Sequence, residues 1–209
     1  MSAVKAVVTR AGWLQDGLTM PKSDSDQPYH HGALKEAALT AVVARLRRGE
    51  DELPTVRELA AEIGVSHRAL YRYFADKDAL KQAVAGEGFG LLAERLPSGP
   101  DLTALSLIDG FLRFAFDETS LYRLMFSLRA AALLAEPTPG QQVRRVIALA
   151  MHAFDDGTGE EAVRNRVFSA WGLAHGLFDL WRAGALRAAT PELAHKFIRT
   201  RILESGLVD

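Results

Sequence analysis

Between residues 54 and 77 the apolar positions shift from one helical phase to another across a single glycine. Val56, Leu59, Ala60 and Ile63 recur at i, i+3, i+4 and i+7, the buried stripe of a short helix. Thr55 and Glu58 have the spacing of a capping box, and Pro54 before them favours an extended entry. Gly64 can take the positive φ that ends this helix and turns the chain. Ser66 suits the N-cap of a second helix over 67–74, which keeps Leu70 and Phe74 inward. His67, Arg68, Tyr71, Arg72 and Tyr73 are left on its other faces. The pattern predicts a helix-turn-helix whose second helix can meet a DNA groove.

Downstream the period stays helical. Asp76 is a natural cap for a helix over 77–96, and Lys77 stands in its first turn, where a cation is unfavourable. A DNA phosphate nearby would explain that lysine. Gly86-Glu87-Gly88-Phe89-Gly90 suggests a phosphate loop, but no strand precedes it and no Lys-Ser/Thr follows. These glycines are better read as helical positions that weaken the helix, allow close packing or act as a hinge. Pro97-Ser98-Gly99-Pro100 breaks the pattern.

A helix capped by Asp101 or Thr103 should then run to about Glu118. Leu105, Ile108, Leu112 and Phe116 form one apolar stripe, Phe111 and Phe114 another, and Asp109, Arg113 and Asp117 the only polar line. So apolar a helix must be buried on most sides. A short helix follows from Ser120 to Phe126. Pro137 and Pro139 should end the next segment, with a further helix over 141–154. Thr158-Gly159-Glu160-Glu161 reads as a second capping box, opening a long helix to Arg182. Thr190-Pro191-Glu192 opens the last helix with proline in its first turn. The fold class is therefore all-α.

Composition narrows the class. The chain has 209 residues, 48% hydrophobic and 24% charged, which suits a globular protein of one or two domains. No apolar run approaches the roughly 18 residues of a membrane helix, so no membrane partner is expected. The first residues do not form a signal peptide. With no cysteine, disulfides, thiol catalysis and Cys-ligated metals are excluded, which fits a cytoplasmic protein. The net charge of −1 seems at odds with a nucleic-acid partner. The acids Glu50, Asp51, Glu52, Glu58 and Glu62, however, precede or lie on the first of the paired helices, while the second carries Arg68, Arg72 and His67 and no acid. Local arrangement outweighs the total.

Residues 29 to 96 resemble the DNA-binding domain of the tetracycline-repressor (TetR) family of bacterial transcriptional regulators. The likeness rests on Tyr29-His30-His31-Gly32-Ala33-Leu34, on Thr55 through Phe74, including Gly64-Val65-Ser66, Leu70-Tyr71 and Tyr73-Phe74, and on Lys77 and Leu80. Tyr73 stands where the family usually has His. The resemblance implies an N-terminal three-helix DNA-binding domain over 29–80 and a C-terminal effector-binding and dimerisation domain over 81–209. A 1–28 extension, disordered or partly ordered, would precede them. It further implies Thr55, Tyr71 and Lys77 against phosphates and His67, Arg68, Arg72 and Tyr73 toward the major groove, with Ser66 at the helix start among the DNA-binding residues.

The extension holds no helical stripe, and 20–28 is polar. Family members commonly begin shortly before the Tyr-His-His-Gly segment, so Met20 could be the natural start; alternatively Lys5, Arg10 and Lys22 form a DNA-following arm. His30 and His31 lack acidic or Cys partners at ligand spacing, so capping or phosphate contact outranks a metal site, and no cofactor is expected.

Trp171-Gly172-Leu173-Ala174-His175-Gly176-Leu177-Phe178 and Leu121-Tyr122-Arg123-Leu124-Met125-Phe126 resemble the C-terminal domain of a Trp-His-Gly (WHG) subfamily. Phe168, Trp171, His175 and Phe178 share one helical face. With Tyr122, Met125 and Phe126 they are candidates for a ligand pocket in which His175 is the polar anchor. The alternative is ordinary core, with His175 bonded to a carbonyl or a neighbouring acid. No Ser, Cys or acid lies at a spacing that suggests a catalytic partner for His175, so an enzyme is not expected. The last two helices are apolar on more than one side, through Leu173, Leu177, Leu180 and Trp181 and through Leu193, Phe197, Ile198 and Ile202. The family resemblance implies that this pair forms a four-helix bundle in a homodimer. The whole is expected to be a repressor, released from a palindromic double-stranded operator by an unknown small molecule.

Overall fold

A computed structural model describes residues 31–208, so the 1–28 extension, its proposed arm, and Tyr29 and His30 lie outside the described residues. Helix α1 (His31–Arg47) buries Ala38, Leu39, Val42, Val43 and Leu46. Helix α2 (Val56–Glu62) buries Val56, Leu59 and Ala60, three of the four residues of the expected stripe. Its capping box is present: the Glu58 amide donates to Thr55 Oγ1 at 3.2 Å, and the Thr55 amide donates to Glu58 Oε2 at 2.7 Å. Gly64 has φ +71° with open space around it, as a left-handed turn requires. Helix α3 (His67–Tyr71) starts where Ser66 Oγ accepts from the Ala69 amide at 3.2 Å. It is one turn long, shorter than the expected 67–74, because the chain leaves the helix at Arg72 to reach the Asp76 cap.

Helix α4 (Lys77–Arg95) is unbroken through its glycines. They serve close packing. A Cβ on Gly86 would lie 2.9 Å from Pro139 Cα, and one on Gly88 would lie 2.5 Å from Met125 Sδ. Thus α4 crosses α6 (Thr119–Phe126) and α8 (Pro137–Ala153) at near-backbone contact. Helix α5 (Ala104–Asp117), capped by Thr103, buries Leu107, Ile108, Phe111, Leu112, Phe114 and Ala115, as its composition demanded. Helix α7 (Ala130–Ala135), α9 (Glu160–Arg182) and α10 (Pro191–Glu204) complete the all-helical architecture of the described residues.

Two expectations fail locally. Pro137 and Pro139 open α8 in its first turn instead of ending a segment, since proline lacks only an amide that a helix start leaves unused. The box at Thr158 does not form: Gly159 is the N-cap of α9, with φ +101°, and Thr158 Oγ1 donates to Asp156 Oδ1 at 2.5 Å. On the polar line of α5, Asp109 is tied to α10, where Arg199 donates to its Oδ2 at 3.1 Å.

A buried ion cluster joins the two halves. Glu118, only 5% exposed between α5 and α6, accepts two bonds from Arg47 Nε (2.9 and 3.0 Å) and one from Arg47 Nη2 (2.8 Å). Arg95, at the end of α4, donates to the same carboxylate at 2.6 Å. Burial pushes the Glu118 carboxyl up, but the Arg47 hydrogen bond and the charges of Arg47 and Arg95 outweigh it and hold the group below its ordinary value. Nearby, Asp51 accepts from Ser120 at 2.6 Å and from Arg123 at 2.7 Å, so the α1–α2 loop is tied to α6 as well.

Candidate functional site

Leu70 and Phe74, both essentially inaccessible, fix α3 against the small domain's core. The rest of its surface is thereby turned outward. His67, Arg68 and Arg72 are exposed, and Tyr71 is 45% exposed with its ring edge-on to His67. Tyr71 is thus not a core tyrosine. Tyr73 is half-buried and packs beside Phe74. Thr55 and Ser66 are exposed at the two helix starts with their oxygens engaged in caps. Lys77 is exposed as the first residue of α4, directly after the Asp76 cap.

The acids of this region are neutralised elsewhere. Glu62 pairs with Arg45 at 2.9 Å, Glu50 with Arg45 and Arg48, Asp51 with Arg123, and Glu58 with its own cap. Among the described residues no acid lies within ion-pair distance of His67, Arg68, Arg72 or Lys77. The outward side of α3 is therefore a patch of unspent donors suited to phosphates and base edges.

A second feature lies behind α4. A cavity of ≈ 570 Å³ is walled by the start of α4, the 51–53 loop, α6 and the last turns of α9. Of the seven candidate ligand residues, Tyr122, Phe126 and His175 line it. Met125 and Phe178 are wholly buried core instead. Trp171 is half-buried, with its ring 5.8 Å from Phe126 and 5.6 Å from His175. Phe168 points outward at 59% exposure. The shared helical face thus splits into core, wall and surface along its length.

His175 has the acidic neighbour that spacing had not suggested. Asp179, one turn on, places Oδ2 3.5 Å from His175 Nε2. On the other side the Tyr122 hydroxyl is in a short hydrogen bond with His175 Nδ1. Burial, then the charge of Asp179, pushes the Tyr122 hydroxyl well above its ordinary pKa, so it stays protonated. A protonated hydroxyl can donate to Nδ1 or accept from it, so the ring tautomer sets the direction of this bond, while Nε2 faces Asp179. Sequence reasoning missed most of this cavity: Lys77, Lys81, Asp78 and Arg182 come together only because α4 packs on α6, whose aromatic side chains in turn meet α9. The i, i+4 relation of His175 to Asp179 was the one local signal.

Among the described residues no cluster of three or more metal-binding side chains occurs, and no helix is long and apolar enough to cross a membrane. An all-helical chain with a short paired-helix module and an outward basic turn is the architecture of a helix-turn-helix regulator. The comparisons agree. Residues 53–84 match bacterial regulatory proteins of the tetR family, and residues 104–200 match the tetracyclin repressor-like C-terminal domain. The chain belongs to the TetR family of transcriptional regulators.

The fold is similar to that of a protein of unknown function from Rhodococcus sp. RHA1, at 26% identity and a TM-score of 0.65, covering 88% of this chain and 100% of that one. A bacterial regulatory protein of the tetR family from Rhodococcus RHA1 shares 17% identity at a TM-score of 0.55, over 84% of this chain and 98% of its own. A tetR-family transcriptional regulator from Streptomyces coelicolor gives the same 17% and 0.55, over 82% and 83%. These last two support the fold alone. No curated protein sequence matches the chain.

Proposed function

We propose that this regulator is a ligand-released repressor, in which a homodimer holds two copies of α3 in successive major grooves of a palindromic operator. The observation that carries the reading is the outward, unpaired basic turn of α3, with Leu70 and Phe74 anchored beneath it. Residues 29–80 are the DNA-binding domain and 81–209 the effector-binding and dimerisation domain. Thr55, Tyr71 and Lys77 meet phosphates, while His67, Arg68, Arg72 and Tyr73 face bases beside Ser66.

The dimer uses the outer faces of α9 and α10. Phe168, Leu180, Leu193, Phe197 and Leu203 are large, apolar and exposed there, and a second copy would cover them. A twofold pair sets the two reading helices about 34–36 Å apart, one turn of DNA. Ligand entering beside Tyr122, Phe126 and His175 displaces α4 and with it the reading helices, to the extent that it binds the released state more tightly. A bacterial cytoplasm is the compartment this role requires.

Selection from random DNA with the full chain tests the reading. It should return a palindrome with half-sites one turn apart. Arg72→Ala should then weaken binding to that site by about 1–3 kcal/mol and relax one base position. Recovery of unrelated sequences, or undiminished binding by the variant, would overturn it, as would a monomer by size measurement at micromolar concentration.

A further inference from the structure

Resting on the regulator reading above, the geometry points to a binding site for an organic anion at the seam between the two domains, sharing Lys77 with DNA. The cavity of ≈ 570 Å³ falls in the range of small-molecule pockets, roughly 300–1,000 Å³. Its inner wall is aromatic, from Tyr122 and Phe126, with His175 beside them. Part of its outer wall comes from the DNA-binding domain: Leu53 from the α1–α2 loop and Lys77 from the start of α4, with Lys81 one turn further along the same helix.

The sign of the ligand follows from which charges are already spent. Four acids line the cavity. Asp51 is satisfied by Ser120 and Arg123, and its carboxyl is held below the ordinary value by those two contacts. Asp179 faces Arg182 and His175, each at 3.5 Å. Glu52 and Asp78 are exposed and need no partner beyond water. On the basic side, Lys77 and Lys81 stand one helical turn apart on the same face and have no acid within ion-pair distance among the described residues. Lys81 is half-buried. A half-buried lysine with no acid within ion-pair distance is the least satisfied basic residue in the cavity, and an anion supplies what it lacks.

A molecule with a flat apolar body and one carboxylate or sulfonate therefore fits. Its body lies against Phe126 and His175, with the buried Tyr122 behind them, and its anionic end lies between Lys81 and Lys77. An anion held at Lys77 offsets the charge that a DNA phosphate would meet and sets a negative group beside it. Ligand and operator thus compete for one side chain at the start of α4, in addition to any movement of that helix.

Two fluorescent dyes of similar shape test the site on the full chain: anilinonaphthalene sulfonate, an aromatic anion, and phenylnaphthylamine, its uncharged counterpart. Lys81→Gln should weaken the sulfonate about tenfold, the size of one charge-assisted contact, and leave the uncharged dye unchanged. Lys81→Arg, which keeps the charge, should bind the sulfonate like the parent and guards against a folding defect. Operator duplex should displace the sulfonate from the parent protein competitively. Equal sulfonate binding by parent and Lys81→Gln overturns the site, and simultaneous, independent binding of dye and operator overturns the sharing of Lys77. A chain that selects no operator at all defeats the regulator reading while the Lys81 comparison still reports on the cavity.

Discussion

Gly64 and Gly86 stand in the two halves of this protein and are required for opposite reasons. At Gly64 a side chain would meet nothing within 4 Å; what demands glycine is the φ of +71° that separates α2 from α3. At Gly86 the backbone is ordinary helix, and what demands glycine is Pro139, whose Cα would be 2.9 Å from a Cβ. The first constraint is written in the local chain, the second in a neighbour 53 positions away in sequence. The same contrast runs through both halves. Helices α2, α3 and α4 each start on a side-chain cap, whereas in the C-terminal half only α5 and α10 do and α6, α7, α8 and α9 start with none. The DNA-reading module is specified by its own sequence; much of the C-terminal half is specified by what it packs against.

The sharpest way to break this contrast is Gly86→Ala. In an isolated helix alanine is favoured over glycine by about 1 kcal/mol, so a locally determined α4 would be stabilised. Packing predicts the reverse. The obstruction is backbone at the first turn of α8 and not a flexible side chain, so a loss of about 3 kcal/mol is expected, the upper end for overpacking. Thermal or urea unfolding of the variant decides between them, and a gain in stability would mean that α4 and α8 are not held at this separation.

That contrast also explains which features could be read in advance. The capping box at Thr55, the turn at Gly64, the Ser66 cap and the burial of Leu70 and Phe74 were legible, because each depends on residues within about one helical turn. The proline pair was misplaced because Pro137 and Pro139 look alike as a stop and as a start; only the chain on either side distinguishes them. The cavity was half legible. Tyr122, Phe126 and His175 were candidates by type, but their sorting from Met125, Phe168, Trp171 and Phe178 depends on where α9 meets α6, which no spacing records. Asp109 illustrates the same limit, since its partner Arg199 lies 90 residues further on in α10, with α6 to α9 between them.

Glu118 offers a test of intermediate size, because it is the charge on which both halves converge. Its folded carboxyl is held below the ordinary value, so its contribution is complete above the unfolded carboxylate range and is lost as pH falls through the lowered folded value. Glu118→Gln should cost about 1.5 kcal/mol at neutral pH, the scale of a hydrogen bond to a charged group. The difference between parent and variant should begin to shrink once the pH enters the ordinary carboxylate range, about 4, where the unfolded chain takes up the proton, and should be gone below the lowered folded value. Melting curves from pH 7 downward read this directly. A gap that stays constant or widens toward acid would mean that the Arg47 and Arg95 contacts contribute no net stability.

The smallest effects come from two threonines that look equivalent in sequence. Thr55 precedes Glu58 and Thr158 precedes Glu161 by the same three positions, yet only Thr55 accepts the amide that a cap must satisfy. The difference arises upstream. Asp156 draws the Thr158 hydroxyl back toward the loop, accepting from both its amide and its Oγ1, and Gly159, with its positive φ, takes the cap position one residue later. Thr55 has no such competitor, since Pro54 and the buried Leu53 before it offer no acceptor side chain. Thr55→Ala should therefore cost about 1 kcal/mol, the usual value of a lost N-cap, and Thr158→Ala less than about 0.5 kcal/mol, a surface substitution. Equal losses in paired urea titrations would show that Thr158 caps α9 in solution after all, and the local reading would then hold in the C-terminal half as it does in the DNA-reading one.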